Sequence, residues 1–143
     1  MHQTARCTSG LWASYLHRPM CVSDLIGTPY RYGATGGEVI DCIHLVLAVL
    51  DELQIPRPPS SQHWYQASWR QVARELLSWG ERVDEAKLDG DVVLLTTEKH
   101  AFGVVWQQGV IHISEPRKAV AWCPTAIMQP AYILRHCSRL NAT

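Results

Sequence analysis

The sequence has no excess charge of either sign and no long apolar run. Thirteen basic residues balance thirteen acidic ones in the 143-residue chain, so the formal net charge is zero. A basic face of the kind that binds nucleic acid is therefore not predicted. The longest apolar run, residues 45–50, is much shorter than the roughly 20 residues that span a bilayer. We expect no nucleic-acid partner, no membrane span, and a substrate of neutral or mixed charge.

A secretory signal is also missing from the sequence. Residues 1–19 lack a basic segment followed by an apolar stretch, and His17, Arg18 and Pro19 interrupt them. We expect the protein to be made in the cytoplasm. The predicted organisation is an N-terminal extension, 1–19, whose order the sequence does not define, followed by a single domain, 20–143.

The cysteine pattern argues against metal-binding and redox modules. The five cysteines form no C-x-x-C pair, so neither a zinc ribbon nor a redox dithiol is predicted, and we expect no metal and no cofactor. Their odd number and the missing export signal also argue against a full disulfide framework.

Helical patterns occupy the first half of the chain. Residues 20–26 predict a short helix, and the glycine-rich residues 27–37 predict a structured loop. Residues 41–53 predict a buried helix, because their apolar positions recur at spacings of three and four, with Asp41 as the candidate N-cap. After a proline-rich linker, a second helix is predicted from Ser68 to about position 79.

Strand patterns replace the helical ones after residue 80. Turn signals separate five short strand candidates: residues 91–96, 101–106, 110–114, 119–123 and 131–135. Helices followed by a run of neighbouring strands predict an α+β domain, with N-terminal helices packed on a central antiparallel sheet.

Cys42 has the setting of a nucleophile. It lies in the predicted first turn of the buried helix, where unpaired N–H groups and the helix dipole favour a thiolate. The same N–H groups can stabilise an oxyanion. The alternative is that Cys42 is only a small buried apolar residue. If it is the nucleophile, it must lie outside any disulfide.

A base for Cys42 must come from elsewhere in the chain. His100 precedes a predicted strand and His112 lies in the partner strand of the same hairpin, so His100 is the candidate base and His112 the group that orients it. The alternative is two unrelated histidines on one hairpin. A two-residue turn would place His112 opposite Gly103 rather than His100, unless the chain bulges near Ala101.

Four segments, in this order, resemble the NlpC family of papain-like cell-wall cysteine peptidases. Residues 25–33 (Leu-Ile-Gly-Thr-Pro-Tyr-Arg-Tyr-Gly) resemble its entry motif, and Asp41-Cys42 with the apolar helix resembles its nucleophile segment. Residues 88–93 are similar to its Gly-Asp strand. The segment from His100 to His112 resembles its histidine strand and third-residue strand.

The resemblance implies a papain-like fold and hydrolysis of peptidoglycan stem peptides, usually at the γ-D-glutamyl–diamino acid bond. It implies Cys42, His100 and His112 as the catalytic triad. It also implies Tyr30 as a residue of the loop beside the cysteine, and Asp41 as a residue that helps to bind the free amine of the substrate.

The chain departs from the family at two places. Ile43 and His44 replace the usual Ser-Gly after the cysteine, and the histidine strand has one more residue before Gly103, which a β-bulge would accommodate. His44 is not assigned a catalytic role. The missing signal peptide and the aromatic segment after the nucleophile helix resemble the phage and gene-transfer-agent subset, implying a tail-tip enzyme that acts on the cell wall with tail-hub proteins as partners.

Three other functions share part of this pattern. An inactive structural or assembly module of a phage tail would have the same fold. A lipid acyltransferase of the lecithin–retinol type has a similar Cys-x-His, but its histidine strand precedes the cysteine, whereas Cys42 precedes His100 here. An interbacterial amidase toxin would use the same chemistry with different delivery.

Overall fold

The computed structural model describes residues 21–59, 61–95 and 101–140. Within these ranges the α-helices are α1 (Val22–Leu25), α2 (Cys42–Glu52) and α3 (Trp69–Trp79). The strands are β1 (Thr35–Gly36), β2 (Val39–Ile40), β3 (Gly80–Arg82), β4 (Val92–Leu94), β5 (Phe102–Trp106), β6 (Gly109–Ser114), β7 (Ala119–Pro124) and β8 (Tyr132–His136). Short 3-10 helices lie at Ser61–Gln66 and Cys137–Arg139.

Six of the strands form one antiparallel sheet in the order β3-β8-β4-β5-β6-β7. Helices pack on this sheet, which confirms the predicted α+β architecture. All five predicted strands are present, with ends shifted by at most two residues where the structure describes them. Strands β1 and β2 pair separately as a two-stranded hairpin. The prediction that residues 27–37 form only a loop was therefore wrong for β1, because glycines weaken the strand signal.

Helix α2 is the centre of the main core. Asp41 caps it as predicted: the Asp41 side chain accepts a hydrogen bond from the backbone N–H of His44 at 2.7 Å. Most of the helix surface is buried, as expected for a helix that is apolar on nearly all sides. Its side chains pack against Phe102 and Val104 of β5 and Ile111 of β6. Packing on both strands fixes the start of α2 beside the β5–β6 hairpin.

The β5–β6 hairpin has the short turn that the sequence predicts. Gln107 and Gln108 both have positive φ, 50° and 62°, as a two-residue hairpin turn of type I′ requires. The resulting register places His112 opposite Gly103. A bulge near Ala101 is absent on the β4 side of β5, where pairing stays regular and the N–H of Leu95 donates to the carbonyl of Ala101 at 2.9 Å. The predicted bulge concerns the pairing of β5 with β6 next to His100, which lies outside the described residues, so it stays a prediction.

The aromatic segment after α2 is anchored to the sheet. The Trp64 ring lies 5.2 Å from the Phe102 ring, and its indole N–H donates to Glu75 at 3.0 Å. The indole N–H of Trp79 donates to the carbonyl of Pro56 at 2.6 Å. Ser68 caps α3 as predicted, with its hydroxyl accepting from the N–H of Gln71.

The loop that precedes β1 is held on two sides by backbone hydrogen bonds. Toward β7, the N–H of Gly27 donates to the carbonyl of Val120 at 2.8 Å and that of Tyr30 to the carbonyl of Lys118 at 2.8 Å. Toward β2, the N–H of Ile40 donates to the carbonyl of Pro29 at 3.0 Å. These bonds place Tyr30 between the β6–β7 turn and the start of α2.

Among the described residues, no helix combines the length and apolar character that crossing a bilayer requires.

Candidate active site

Cys42 is the first residue of α2 and opens onto a cavity of about 410 Å³. Its residue surface is only 6% exposed, so the thiol is reached through this cavity rather than from open solvent. Tyr30 lines the same cavity. The structure thus brings together two residues that the sequence assigns to the site, and it places one of them at a helix N-terminus, where a thiolate is favoured.

Tyr30 is close enough to the nucleophile segment for its ionisation to be affected. Its pKa is raised above the ordinary tyrosine value, chiefly because burial disfavours the phenolate, and further by negative charge at Cys42, Asp41 and Glu115. The phenol therefore stays protonated near neutral pH and remains a hydrogen-bond donor facing the cavity.

Asp41 lies behind Cys42 and is fully buried, with 0% of its surface exposed. One oxygen, Oδ1, accepts both the backbone N–H of His44 and the His44 ring Nδ1–H, the latter at 2.8 Å. The other oxygen, Oδ2, is buried and has no hydrogen-bond partner within the described residues. The departure from the usual glycine at position 44 thus supplies a side-chain partner for Asp41.

His112 lies beside the Cys42 cavity rather than in its wall. Its neighbours Ile111 and Ile113 pack with the core that contains Cys42, so His112 points to the opposite face of the sheet, where Val110 is buried. It lines a second cavity of about 440 Å³, which shares the walls Leu95, Ala101, Ile113, Ser114 and Glu115 with the first.

The His112 imidazole bonds to its own strand. Its Nδ1 donates to the carbonyl of Ile113 at 3.2 Å, which leaves Nε2 as the acceptor of the neutral ring. Burial lowers the pKa of His112, and the bond to Ile113 offsets only part of that effect. His100, the predicted base, lies outside the described residues. The described site therefore comprises Cys42, Tyr30 and Asp41, with His112 adjacent to it.

Cys42 lies outside any disulfide, as a nucleophilic cysteine must. Cys42, Cys123 and Cys137 are not disulfide-bonded, which confirms the prediction that no disulfide involves Cys42. Cys21 is disulfide-bonded. Within the described ranges, no cluster of three or more His, Cys, Asp or Glu side chains is placed to hold a metal ion.

Sequence reasoning missed the charged residues of the cavity wall. Arg31, Glu115 and Lys118 line it together with Cys42. Arg31 follows Tyr30 directly, which is a signal that could have been used. The other two lie in the β6–β7 turn, more than 70 residues after the nucleophile, and nothing in their local pattern points to a site.

Comparison with known proteins assigns the family. The sequence profile of the NlpC/P60 family matches residues 27–133, most of the chain. The chain belongs to the NlpC/P60 family. Members of this family are typically peptidoglycan-hydrolysing cysteine peptidases. No curated protein sequence matches the chain significantly.

Solved structures show the same fold. NlpC2 and NlpC1 from Trichomonas vaginalis are similar with TM-scores of 0.54 and 0.53 at 19% and 21% identity. These matches cover 80% of this chain but only 44% and 41% of those chains, so the protein spans less than half their length. The NlpC/p60 domain of the peptidoglycan hydrolase SagA has a TM-score of 0.53 at 16% identity, with 80% of this chain and 92% of that chain covered. At such identities the likeness establishes the fold alone.

Proposed function

We propose that this NlpC/P60 protein is a cysteine peptidase that cleaves peptidoglycan stem peptides at the γ-D-glutamyl–diamino acid bond. The observation that carries the proposal is the position of Cys42, the first residue of a capped helix, at the wall of a cavity that it shares with Tyr30. A thiolate there can attack a substrate carbonyl that enters the cavity.

The proposed reaction follows the Cys–His scheme. The Cys42 sulfur bonds to the scissile carbonyl carbon, and the backbone N–H at the start of α2 and the Tyr30 hydroxyl donate to the resulting oxyanion. His100 takes the thiol proton and gives it to the leaving amine, so that the peptide bond breaks and a thioester forms. Water, activated by His100, then hydrolyses the thioester and releases Cys42.

His112 and Asp41 have supporting roles in this proposal. His112 orients the His100 ring through a hydrogen bond at Nε2. His100 must then reach this nitrogen across the wall that the two cavities share. Asp41 binds the free amine of the substrate through Oδ2, the oxygen that His44 leaves available. Because Oδ2 is buried, the substrate must displace part of the wall to reach it.

Digestion of defined muropeptides tests the activity. Wild-type protein should release the diamino acid fragment, and mass spectrometry should identify the γ-D-glutamyl bond as the cleavage point. Cys42→Ala should abolish the product, whereas Cys137→Ala, which removes an exposed free thiol elsewhere, should cleave at the wild-type rate. Product formation by Cys42→Ala would refute the mechanism.

We further propose that the protein acts as a tail-associated enzyme of a phage or gene-transfer agent, made in the cytoplasm and assembled with tail-hub proteins. The proposal is supported by the aromatic segment after α2, which resembles that subset in sequence and whose Trp64 packs on Phe102. Mass spectrometry of purified particles should detect the chain. Its absence from intact particles would rule this role out.

A further inference from the structure

Lys118 has a backbone conformation that favours glycine. It lies in the turn between β6 and β7 with φ of 51°, in the left-handed region that side chains other than those of Gly, Asn and Asp rarely adopt. Strained positions of this kind are concentrated at functional sites. The simpler explanation is that the turn needs this conformation and that the side chain is incidental.

The surroundings of Lys118 argue for a functional side chain. Its N–H donates to the carbonyl of Ser114 at 2.7 Å, and its carbonyl accepts the N–H of Tyr30 at 2.8 Å. These bonds fix its backbone beside the Tyr30 loop, and its side chain lines the Cys42 cavity together with Arg31. Two cations, from the two segments that these hydrogen bonds join, therefore face the same cavity as the thiol.

We propose that Lys118 and Arg31 bind a carboxylate of the substrate next to the scissile bond and so determine specificity. This inference rests on the proposed function and specifies the substrate group that the cavity recognises. A γ-glutamyl linkage leaves the α-carboxylate of that residue free on the acyl side of the scissile bond. A guanidinium can bind this carboxylate through two parallel hydrogen bonds, and an ammonium adds a point charge.

Glu115 limits how much negative charge the cavity accepts. It lines the same wall and is exposed at the rim of the turn. With two cations and one carboxylate, the wall suits a peptide with separated positive and negative groups rather than a polyanion. Arg31 and Lys118 therefore complement the negative charge of the α-carboxylate, whereas an uncharged amide at the same position lacks this electrostatic attraction.

The test compares two synthetic tripeptides, L-Ala-γ-D-Glu-L-Lys and the same peptide with the α-carboxylate converted to a carboxamide. Wild-type protein should cleave the acid with the higher kcat/KM. Lys118→Gln should lower kcat/KM for the acid by about 10- to 100-fold, the range expected for loss of a hydrogen bond to a charged group, mainly through a higher KM. For the amide peptide, the kcat/KM of Lys118→Gln should differ little from that of wild type.

Two control variants separate charge from backbone effects. Arg117→Gln removes a charge from the same turn but not from the cavity wall, and should preserve the preference for the acid. Lys118→Gly relieves the left-handed strain, so its thermal unfolding midpoint should equal or exceed that of wild type. It should nevertheless lose the preference for the acid as fully as Lys118→Gln does. A Lys118→Gly variant with the wild-type preference would overturn the inference.

Binding to Cys42→Ala, measured by calorimetry, distinguishes failure of the inference from failure of the proposed activity. If wild type cleaves both peptides equally and Lys118→Gln changes nothing, the inference fails and the activity stands. If no peptide is cleaved, but Cys42→Ala binds only the acid peptide and the added Lys118→Gln substitution abolishes that binding, the activity fails and the inference stands. If nothing is cleaved and nothing binds, both are overturned.

Discussion

His112 and His136 both lie in surroundings that disfavour a charged imidazole. Burial lowers the pKa of His112, and burial also lowers the pKa of His136, whose Nδ1 accepts the N–H of Ser138 at 3.1 Å. In the unfolded chain both rings titrate near the ordinary value of about 6.5. As the pH falls, the unfolded state therefore binds protons before the folded state does.

The sign of the resulting pH dependence follows directly. The stabilising contribution of the two neutral rings is fully present above about pH 6.5 and is lost as the pH falls through their lower folded-state pKa values. His112→Asn removes one titrating ring, so its free energy of unfolding should fall less than that of wild type between neutral and mildly acidic pH. Urea denaturation at a series of pH values measures this, with His136→Asn as the second case. Unchanged pH slopes in both variants would contradict the prediction.

The roles of some residues can be predicted from the sequence, whereas those of others cannot. Asp41 and Ser68 are recognisable as caps because a short polar side chain stands directly before an apolar helical pattern. Lys118 is not recognisable, because its left-handed φ and its place at the cavity depend on hydrogen bonds to Ser114 and Tyr30, and Tyr30 is far away in the sequence.

A buried ion pair joins Asp91, the residue directly before β4, to Arg135 of β8. Arg135 donates through Nε to Asp91 Oδ1 at 2.9 Å and through a second nitrogen to Oδ2 at 2.8 Å. Asp91 also accepts the backbone N–H groups of Lys87 and Leu88. Asp91 and Arg135 are 1% and 7% exposed, so each charge depends on its partner for compensation.

Removing one member of this pair should be far costlier than removing a member of a surface pair. Arg135→Met leaves Asp91 as an uncompensated buried charge and should lower the free energy of unfolding by about 3–5 kcal/mol. Arg57→Met breaks the exposed pair with Asp51 and should cost at most about 1 kcal/mol. Asp91→Asn added to Arg135→Met should recover part of the loss. Chemical denaturation of wild type and the three variants gives these losses, and equal losses for the two single variants would disprove the argument.

Elements are predictable where a period or a turn signal is strong. The β5–β6 hairpin and α2 were predicted almost to the residue for this reason. Strand β3 was missed because Gly80 was interpreted only as a helix stop. A Cβ at Gly80 would collide with the carbonyl of Arg135, so the glycine also allows β8 to approach closely. That contact joins segments more than 50 residues apart and leaves no local signature.

At the scale of the whole molecule, the site is assembled by contacts distant in sequence. The Tyr30 loop reaches Cys42 because it is hydrogen-bonded to β7 on one side and β2 on the other. The sheet in turn places the start of β5 and the end of β6 at the cavity wall. The sequence predicts which segments carry the chemistry. The charged residues of the cavity wall can be identified only from the fold, because the β6–β7 turn and the Tyr30 loop are distant in sequence and come together only in the folded chain.

Selective alkylation tests whether this assembly activates Cys42. Cys42 is buried, Cys123 is half-buried and Cys137 is exposed, so exposure alone predicts that Cys137 reacts first. The thiolate is the reacting form, and an ordinary thiol ionises near pH 8.5. If the start of α2 and a protonated His100 favour the thiolate, iodoacetamide should label Cys42 ahead of Cys137 near neutral pH. His100→Ala should lower the alkylation rate of Cys42. The alkylation rate of Cys137, which serves as an internal control in the same molecule, should not change.

If the alkylation rate of Cys42 depends on pH in the same way in wild type and in His100→Ala, His100 does not activate Cys42. The protein would then be an inactive member of the family, and the proposed peptidase activity would fail.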